Sequence, residues 1–274
     1  MITSMQIGIC KKPVNAVSED VVGYAGKYFW LLDGATPFTG GQNKHLLQMF
    51  LGYLNTGLVK NSAMAKNPQA LLYQAICYAR KYMRKDGLLI GVEHKPRCTA
   101  IVVKVGRENA EFSVLGDSVL CFIDNIVGTC HSITDNRLAD FAVKERERLE
   151  ASEFDTDGYW KAADALIEAE KEFINKPNGF WEASINPEAA YMSVNGLFDF
   201  KNDTTILMMS DGLARFVDVF KCYKDYGGIA KLIKENGADN AFTQLRSLEM
   251  SMRDVRRPSL HDDASFLMLD VRKG

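Results

Sequence analysis

The sequence predicts an α+β fold with largely antiparallel sheets. Two observations carry that expectation. Short, partly β-branched apolar runs recur along the chain and read as strands, and helical periodicities fall between blocks of such runs. The 274 residues, 47% hydrophobic and 25% charged, have ordinary globular composition, enough for one large domain or two small ones.

The strand-like runs are YFWLLDG (28–34), TAIVVKV (99–105), AEFSVLGD (110–117), VLCFID (119–124), TTILMMSDG (204–212) and ASFLMLDV (264–271). TAIVVKVGRENAEFSVLGDSVLCFI reads as three consecutive strands of a meander, turning at Gly106–Asn109 and at Gly116–Ser118. Ahead of it lie two helical patterns. One starts at about Asn43 and presents Leu46, Leu47, Phe50, Leu51 and Leu54. The other opens at Asn67-Pro68, a cap followed by a first-turn proline, buries Leu71, Leu72, Ala75, Ala79 and Tyr82, and ends in Arg84-Lys85. Joined by a short loop, they suggest an antiparallel helix pair laid across a sheet. Residues 134–190 change character: LADFAVKERERLEASE and YWKAADALIEAEKEF are charged amphipathic helices around an acidic FDTDG, read as a helical insertion with solvated charged faces. A strand block near 190–210, helices near 227–236 and 239–254 and a last strand complete one catalytic-sized domain, 1–274.

A net charge of −2 gives no case for bulk binding to nucleic acid. No apolar run approaches the ~18 residues that span a membrane. The start, MITSMQIGICKKP, lacks the apolar segment of a signal peptide. Six scattered cysteines without a CxxC pair read as reduced, mostly buried thiols, and the four histidines lack zinc-ligand spacing, so the cytoplasm is the expected compartment.

The chemistry lies where apolar runs stop. Asp33 ends FWLLD, Asp117 ends FSVLGD, Asp211 ends ILMMSD, Asp262 and Asp263 precede ASFLMLDV, and Glu19-Asp20 precedes the strand-like VVGYAGKYFWLL. Each alone reads as readily as a turn or strand cap facing water. Gathered on one rim by antiparallel packing, they would repel unless protonated or neutralised by cations, and oxygen-only donors suit Mg²⁺ or Mn²⁺. Gly34 and Gly212 follow their aspartates and leave room for a backbone carbonyl to approach an ion.

The ordered set SED, LLDGA, RCTAIVVKV, SVLGDSVLCFI, ILMMSDGLARFVD and LHDDASFLML resembles the metal-dependent protein phosphatases of the 2C (PPM) family, over residues 15–271. NKPNGFWEASINPEAA (175–190) resembles a segment of the family's bacterial branch. The resemblance implies a four-layer α-β-β-α sandwich of two antiparallel sheets flanked by helix pairs, and hydrolysis of phosphoserine and phosphothreonine on proteins by metal-activated water. The partner it implies is a phosphoprotein, the target of a kinase. Carried over residue by residue, it makes Asp33, Asp211 and Asp262 the catalytic set. Asp33 would bridge two Mg²⁺ or Mn²⁺ ions and Gly34 would lend its carbonyl. Asp211 and Asp262 would hold the first ion, and Asp20 with Glu19 would hold the second. Asp117, together with Asp211, matches the position of a third, looser ion in several relatives.

Two positions depart from the pattern. Where the family has a phosphate-gripping arginine, five residues before Asp20, this chain has Asn15; Lys11 and Lys12 are the substitutes at hand, though each is a point charge where arginine is a planar fork. Ala35 stands where animal members carry a histidine. The lost arginine keeps a second reading open, a weak or inactive regulatory homologue that binds phosphoprotein. A haloacid-dehalogenase-type enzyme would need a second acid at Ala35.

Overall fold

The computed structural model describes residues 1–13, 17–35, 41–91 and 95–274, with side chains omitted at 41–43. Two five-stranded antiparallel sheets stack face to face. The first is ordered β1 (Ile2–Cys10), β10 (Ala264–Val271), β9 (Thr204–Met209), β6 (Val119–Asp124), β7 (Cys130–Ile133). The second is ordered β2 (Asp20–Ala25), β3 (Tyr28–Ala35), β4 (Arg97–Val105), β5 (Asn109–Leu115), β8 (Val194–Asp199). Strand alternation sends one set of side chains inward. Phe29, Leu31, Ile101 and Val103 meet Phe122, Ile206, Met208 and Leu267 in the layer between the sheets.

The opposite faces are covered by helices. On the second sheet, Trp30, Leu32, Ala100 and Val102 pack against α1 (Gly41–Asn61) and α2 (Pro68–Lys85). On the first, Cys121, Leu207, Met209 and Phe266 pack against α5 (Asp211–Asp218), α6 (Gly227–Asn236) and α7 (Ala238–Ser251). The layers are therefore α-β-β-α. Asn67 caps α2 as its sequence predicts, its side chain accepting from the Ala70 amide at 2.8 Å. Tyr82 departs from its expected burial: Met83 turns to the core and Tyr82 stays half-exposed, stacked on Tyr53.

Several expectations are corrected. The three-strand meander is a two-strand one: β4 and β5 pair, but the chain crosses at Gly116–Ser118, so that β6 pairs with β9 and β7 of the other sheet. VVGYAGKYFWLL is a hairpin, turning at Gly26-Lys27 between β2 and β3. The opening segment forms β1, an edge strand whose exposed side chains hide its pairing with β10 from a burial pattern. LADFAVKERERLEASE is broken into a 3₁₀ turn (Asn136–Asp140) and α3 (Val143–Glu150), with Ala142 left-handed at φ 51° between them. α4 (Asp157–Lys171) packs Tyr159, Ala162, Ala163 and Leu166 against Leu149 of α3 in a small core of their own. The cysteines are free, but only Cys98 and Cys121 are buried; Cys222 is exposed. Among the described residues no helix is long and apolar enough to cross a membrane.

Candidate active site

The antiparallel register brings the strand ends to one rim. Asp20, the first residue of β2, lies directly opposite Asp33 near the end of β3, and Asp33 in turn faces Thr99 of β4. Like charges directly opposite on a ladder are destabilising. β9 of the other sheet delivers Asp211 to the first turn of α5, where a helix N-terminus favours a carboxylate. Its amide points at Asp33 Oδ2, 3.4 Å away, across the gap between the sheets. Asp262 arrives on the loop before β10, and Asp117 at the crossing from β5 to β6.

These groups surround a cavity of about 210 Å³ whose lining includes Asp33, Asp117, Asp211 and Asp262 with Lys12, Arg97, Arg146, Glu170 and Glu182. Six lining carboxylates face three cations. Burial first, then the charges of Asp20, Asp211, Asp262 and Asp117, pushes the Asp33 carboxyl well above the usual range. Burial likewise lifts Asp20 to about 8, with Asp263 and Asp262 adding to it. Asp117 is raised to about 8, by burial and then by Asp211 and Glu182, and Asp211 to about 6, by burial and then by Asp262.

Asp20 is the sharpest case. It is 5% exposed, and among the described residues neither of its oxygens has a hydrogen-bond partner. The Ser265 hydroxyl nearby eases its charge without reaching hydrogen-bond geometry, and is itself unpartnered. A buried carboxylate normally has a proton donor, a cation or water. Two glycines hold the approach tight. A Cβ on Gly34 would stand 2.5 Å from the Glu19 carbonyl, which accepts the Gly34 amide at 3.1 Å. A Cβ on Gly212 would run into the Asp263 carbonyl.

The acids on the other side are not bare. Asp262 Oδ2 accepts from Arg215 Nη2 at 2.7 Å, and Lys12 Nζ lies 3.9 Å from Oδ1 and 3.1 Å from Glu19. Arg215, 4% exposed, also reaches Glu249 at 3.3 Å, and Glu249 holds Arg246 and His261, each at 2.7 Å. Asp263 is a clamp: its oxygens accept the backbone amides of Lys12 and Glu19, tying the end of β1 to the start of β2. Among the described residues no three His, Cys, Asp or Glu side chains already converge as a coordination shell. The carboxylates nonetheless stand close enough to shift one another, and the stranded Asp20, the oxygen-only donors and the excess of acids over cations fit hard dications.

The other expected residues are distributed as follows. Lys12 lines the cavity; Lys11 is exposed and does not. Asn15 lies outside the described residues. Glu19 is buried behind Lys12. Phe180 and Trp181 are core, and Asn178 is exposed. The charged helices were expected to be solvated, but Glu170 of α4 is 6% exposed and joins Arg97 and Arg146 in the cavity wall. That network was missed because its members come from β4, α3, α4 and the segment after α4, with no local spacing to mark them.

No protein-family model matches the sequence, and no curated protein is significantly similar to it. Solved structures do match. The PPM Ser-Thr phosphatase MsPP from Mycobacterium smegmatis, solved with cacodylate, is 18% identical, with 98% of this chain and 99% of that one aligned at a TM-score of 0.54. The serine/threonine phosphatase Stp1 from Staphylococcus aureus is 14% identical over 99% and 96%, at 0.57. The catalytic domain of the phosphatase PstP, solved with two manganese ions, is 14% identical over 97% of each chain, at 0.53. The chain thus has the α+β fold of the bacterial PPM-type serine/threonine phosphatases along nearly its whole length.

Proposed function

We propose that this protein is a Mg²⁺- or Mn²⁺-dependent phosphatase that hydrolyses phosphoserine and phosphothreonine on proteins. The observation that carries the reading is Asp20 opposite Asp33, both oxygens of Asp20 buried without a partner among the described residues, with Asp33 lining an acidic cavity in a PPM-type fold. Asp33, Asp211 and Asp262 would hold one ion, and Asp33, Asp20 and the Gly34 carbonyl the other, with Glu19 behind Asp20. Asp117, with Asp211, offers a third place. When bound, the ions supply Lewis-acid stabilisation of the phosphoryl oxygens and a nucleophile from water at neutral pH.

The chain's own residues do the rest. The β2–β3 ladder fixes the separation of Asp20 and Asp33, and Asp263 pins the Glu19 loop to the end of β1. The Arg215–Glu249 pair holds Asp262 in place. Ala35 has no proton to give, so leaving-group protonation falls to water. The substrates are kinase products, and we place the activity in the cytoplasm, in keeping with six free thiols. The test is hydrolysis of p-nitrophenyl phosphate and of a phosphothreonine peptide with Mn²⁺, then with EDTA. Full activity in excess chelator overturns the reading.

One observation favours the second reading, a weak phosphoprotein-binding homologue: Asp262 is already paired with Arg215 and Lys12. Mn²⁺ binding by calorimetry without turnover of either substrate selects it.

A further inference from the structure

The cavity has a wall that the acidic rim does not account for. Leu138 of the 3₁₀ turn, Arg146 of α3 and Leu166, Ile167 and Glu170 of α4 close one side of it. Arg97 is committed: its Nη1 forks onto both oxygens of Glu182, at 2.9 and 3.1 Å, and its Nη2 lies 3.5 Å from Glu170. Lys12 is committed too, between Glu19 and Asp262.

Arg146 differs from both. Its Nη2 donates to Glu170 Oε1 at 2.9 Å, but its Nε is buried and has no partner among the described residues. An unpaired buried donor is costly, so the guanidinium has capacity left for an acceptor. Arg146 lines the cavity within electrostatic reach of Asp117, whose charge it favours. Glu170 holds the guanidinium in place without saturating it. A guanidinium held through one nitrogen in a cavity wall is suited to the planar, two-point recognition of a phosphoryl group.

We propose that Arg146 grips the substrate phosphate, so that the helices after β7, and not the segment around Asn15, supply this contact. The inference rests on the phosphatase reading and names the residue that recognises the phosphate monoester dianion at the same site. Apolar Leu138, Leu166, Ile167 and Pro258 beside it then meet the alkyl arm of the phosphorylated residue.

The test compares Arg146→Ala, Arg146→Lys and Arg148→Ala in Mn²⁺. Arg148 is exposed on the same helix and does not line the cavity, so its loss controls for charge alone. The expected result is a tenfold or larger rise in KM for a phosphothreonine peptide and in Ki for inorganic phosphate with Arg146→Ala, with kcat changed less than threefold. Arg146→Lys falls between, and Arg148→Ala matches wild type. If Arg146→Ala and Arg148→Ala raise KM alike, or if Arg146→Ala lowers kcat and Tm while Ki for phosphate stays put, the grip is overturned and Arg146 only neutralises Glu170. A wild type that turns over nothing defeats the phosphatase reading instead. Calorimetry of inorganic phosphate on the Mn²⁺-loaded proteins then still decides the grip: equal affinity for wild type and Arg146→Ala overturns it.

Discussion

Asp20 opens β2 of one sheet and Asp262 precedes β10 of the other, close enough for the charge of Asp262 to bear on Asp20, and they are treated oppositely. Asp20 is set against a second carboxylate, Asp33, and has no donor among the described residues. Asp262 is given a buried guanidinium, which is itself held by Glu249, and an ammonium beyond. Asp20 is thus left without a counter-charge among the described residues, whereas Asp262 is already neutralised by the protein. An acid left bare in the fold is a cost that a ligand repays, and an acid paired in the fold is a strut; the two are separable by experiment.

Asp33 lies between both sides, within reach of Asp20, Asp211, Asp262 and Asp117, and its loss should have the largest effect. Asp33→Ala should lower Mn²⁺-dependent kcat/KM by more than about 100-fold, since partners one shell further out are already worth roughly 10–100-fold. The far-ultraviolet dichroism should not change. Residual activity within tenfold of wild type would remove Asp33 from the chemistry.

The comparison is broken most directly by two isosteric changes in metal-free protein at pH 9. Asp262→Asn leaves the buried Arg215 with less counter-charge and should lower stability by about 1–3 kcal/mol, a loss of several degrees in Tm. Asp20→Asn removes a stranded charge and should raise Tm. Equal shifts in the same direction would erase the distinction between the two sides.

Acidity reports on the buried acids in bulk. Burial, then neighbouring charge, lifts the Asp20 and Asp117 carboxyls to about 8 and that of Asp211 to about 6. Unfolded, these groups release their protons near pH ~4. Between those values the folded state binds more protons than the unfolded one, so metal-free stability falls as pH rises from about 4 to about 8 and levels off above. Thermal melts in EDTA should show a decline of more than about 4 °C across that window, at roughly 2–4 °C per kcal/mol for a chain of this size. Mn²⁺ at pH 8 should restore it. A flat or rising profile in EDTA would mean that the carboxylates are not buried together.

The acids of the rim, Asp262 among them, were legible in the sequence, and the groups that pair Asp262 were not. Asp33, Asp117 and Asp211 each terminate a run of apolar residues, a break visible without any partner in view, and their two following glycines mark where backbone comes close. Arg215, Arg246, Glu249 and His261 have no such mark. On α5, on α7 and in the loop before Asp262 they look like ordinary polar positions until the first sheet brings α5 and α7 together. The same limit explains the crossing at Gly116–Ser118: the turn is local and was expected, but which sheet β6 joins depends on β9, some eighty residues on. Asp263 shows the converse. It sits in the same acidic pair as Asp262, yet its two amide bonds make it a clamp.

Lys12 sharpens the comparison with the smallest effect. Its sequence position offered it as a substitute for the missing phosphate-gripping arginine, but its ammonium is held between Glu19 and Asp262. Burial opposes its charge, and Asp262, Glu19 and Asp263 outweigh that and keep it protonated above the usual lysine range. An ammonium in that place offsets negative charge that a dication would otherwise meet. Lys12→Met, which keeps the apolar stem and removes the charge, should therefore tighten Mn²⁺ binding by about threefold to tenfold, or roughly 1 kcal/mol for a partly exposed pair. The KM for a phosphopeptide should stay within about twofold of wild type, because the phosphate contact lies elsewhere. Calorimetry of Mn²⁺ and steady-state kinetics on one preparation read both quantities. A raised KM with unchanged Mn²⁺ affinity would reverse the assignment, making Lys12 the phosphate ligand and leaving Asp262 to Arg215 alone.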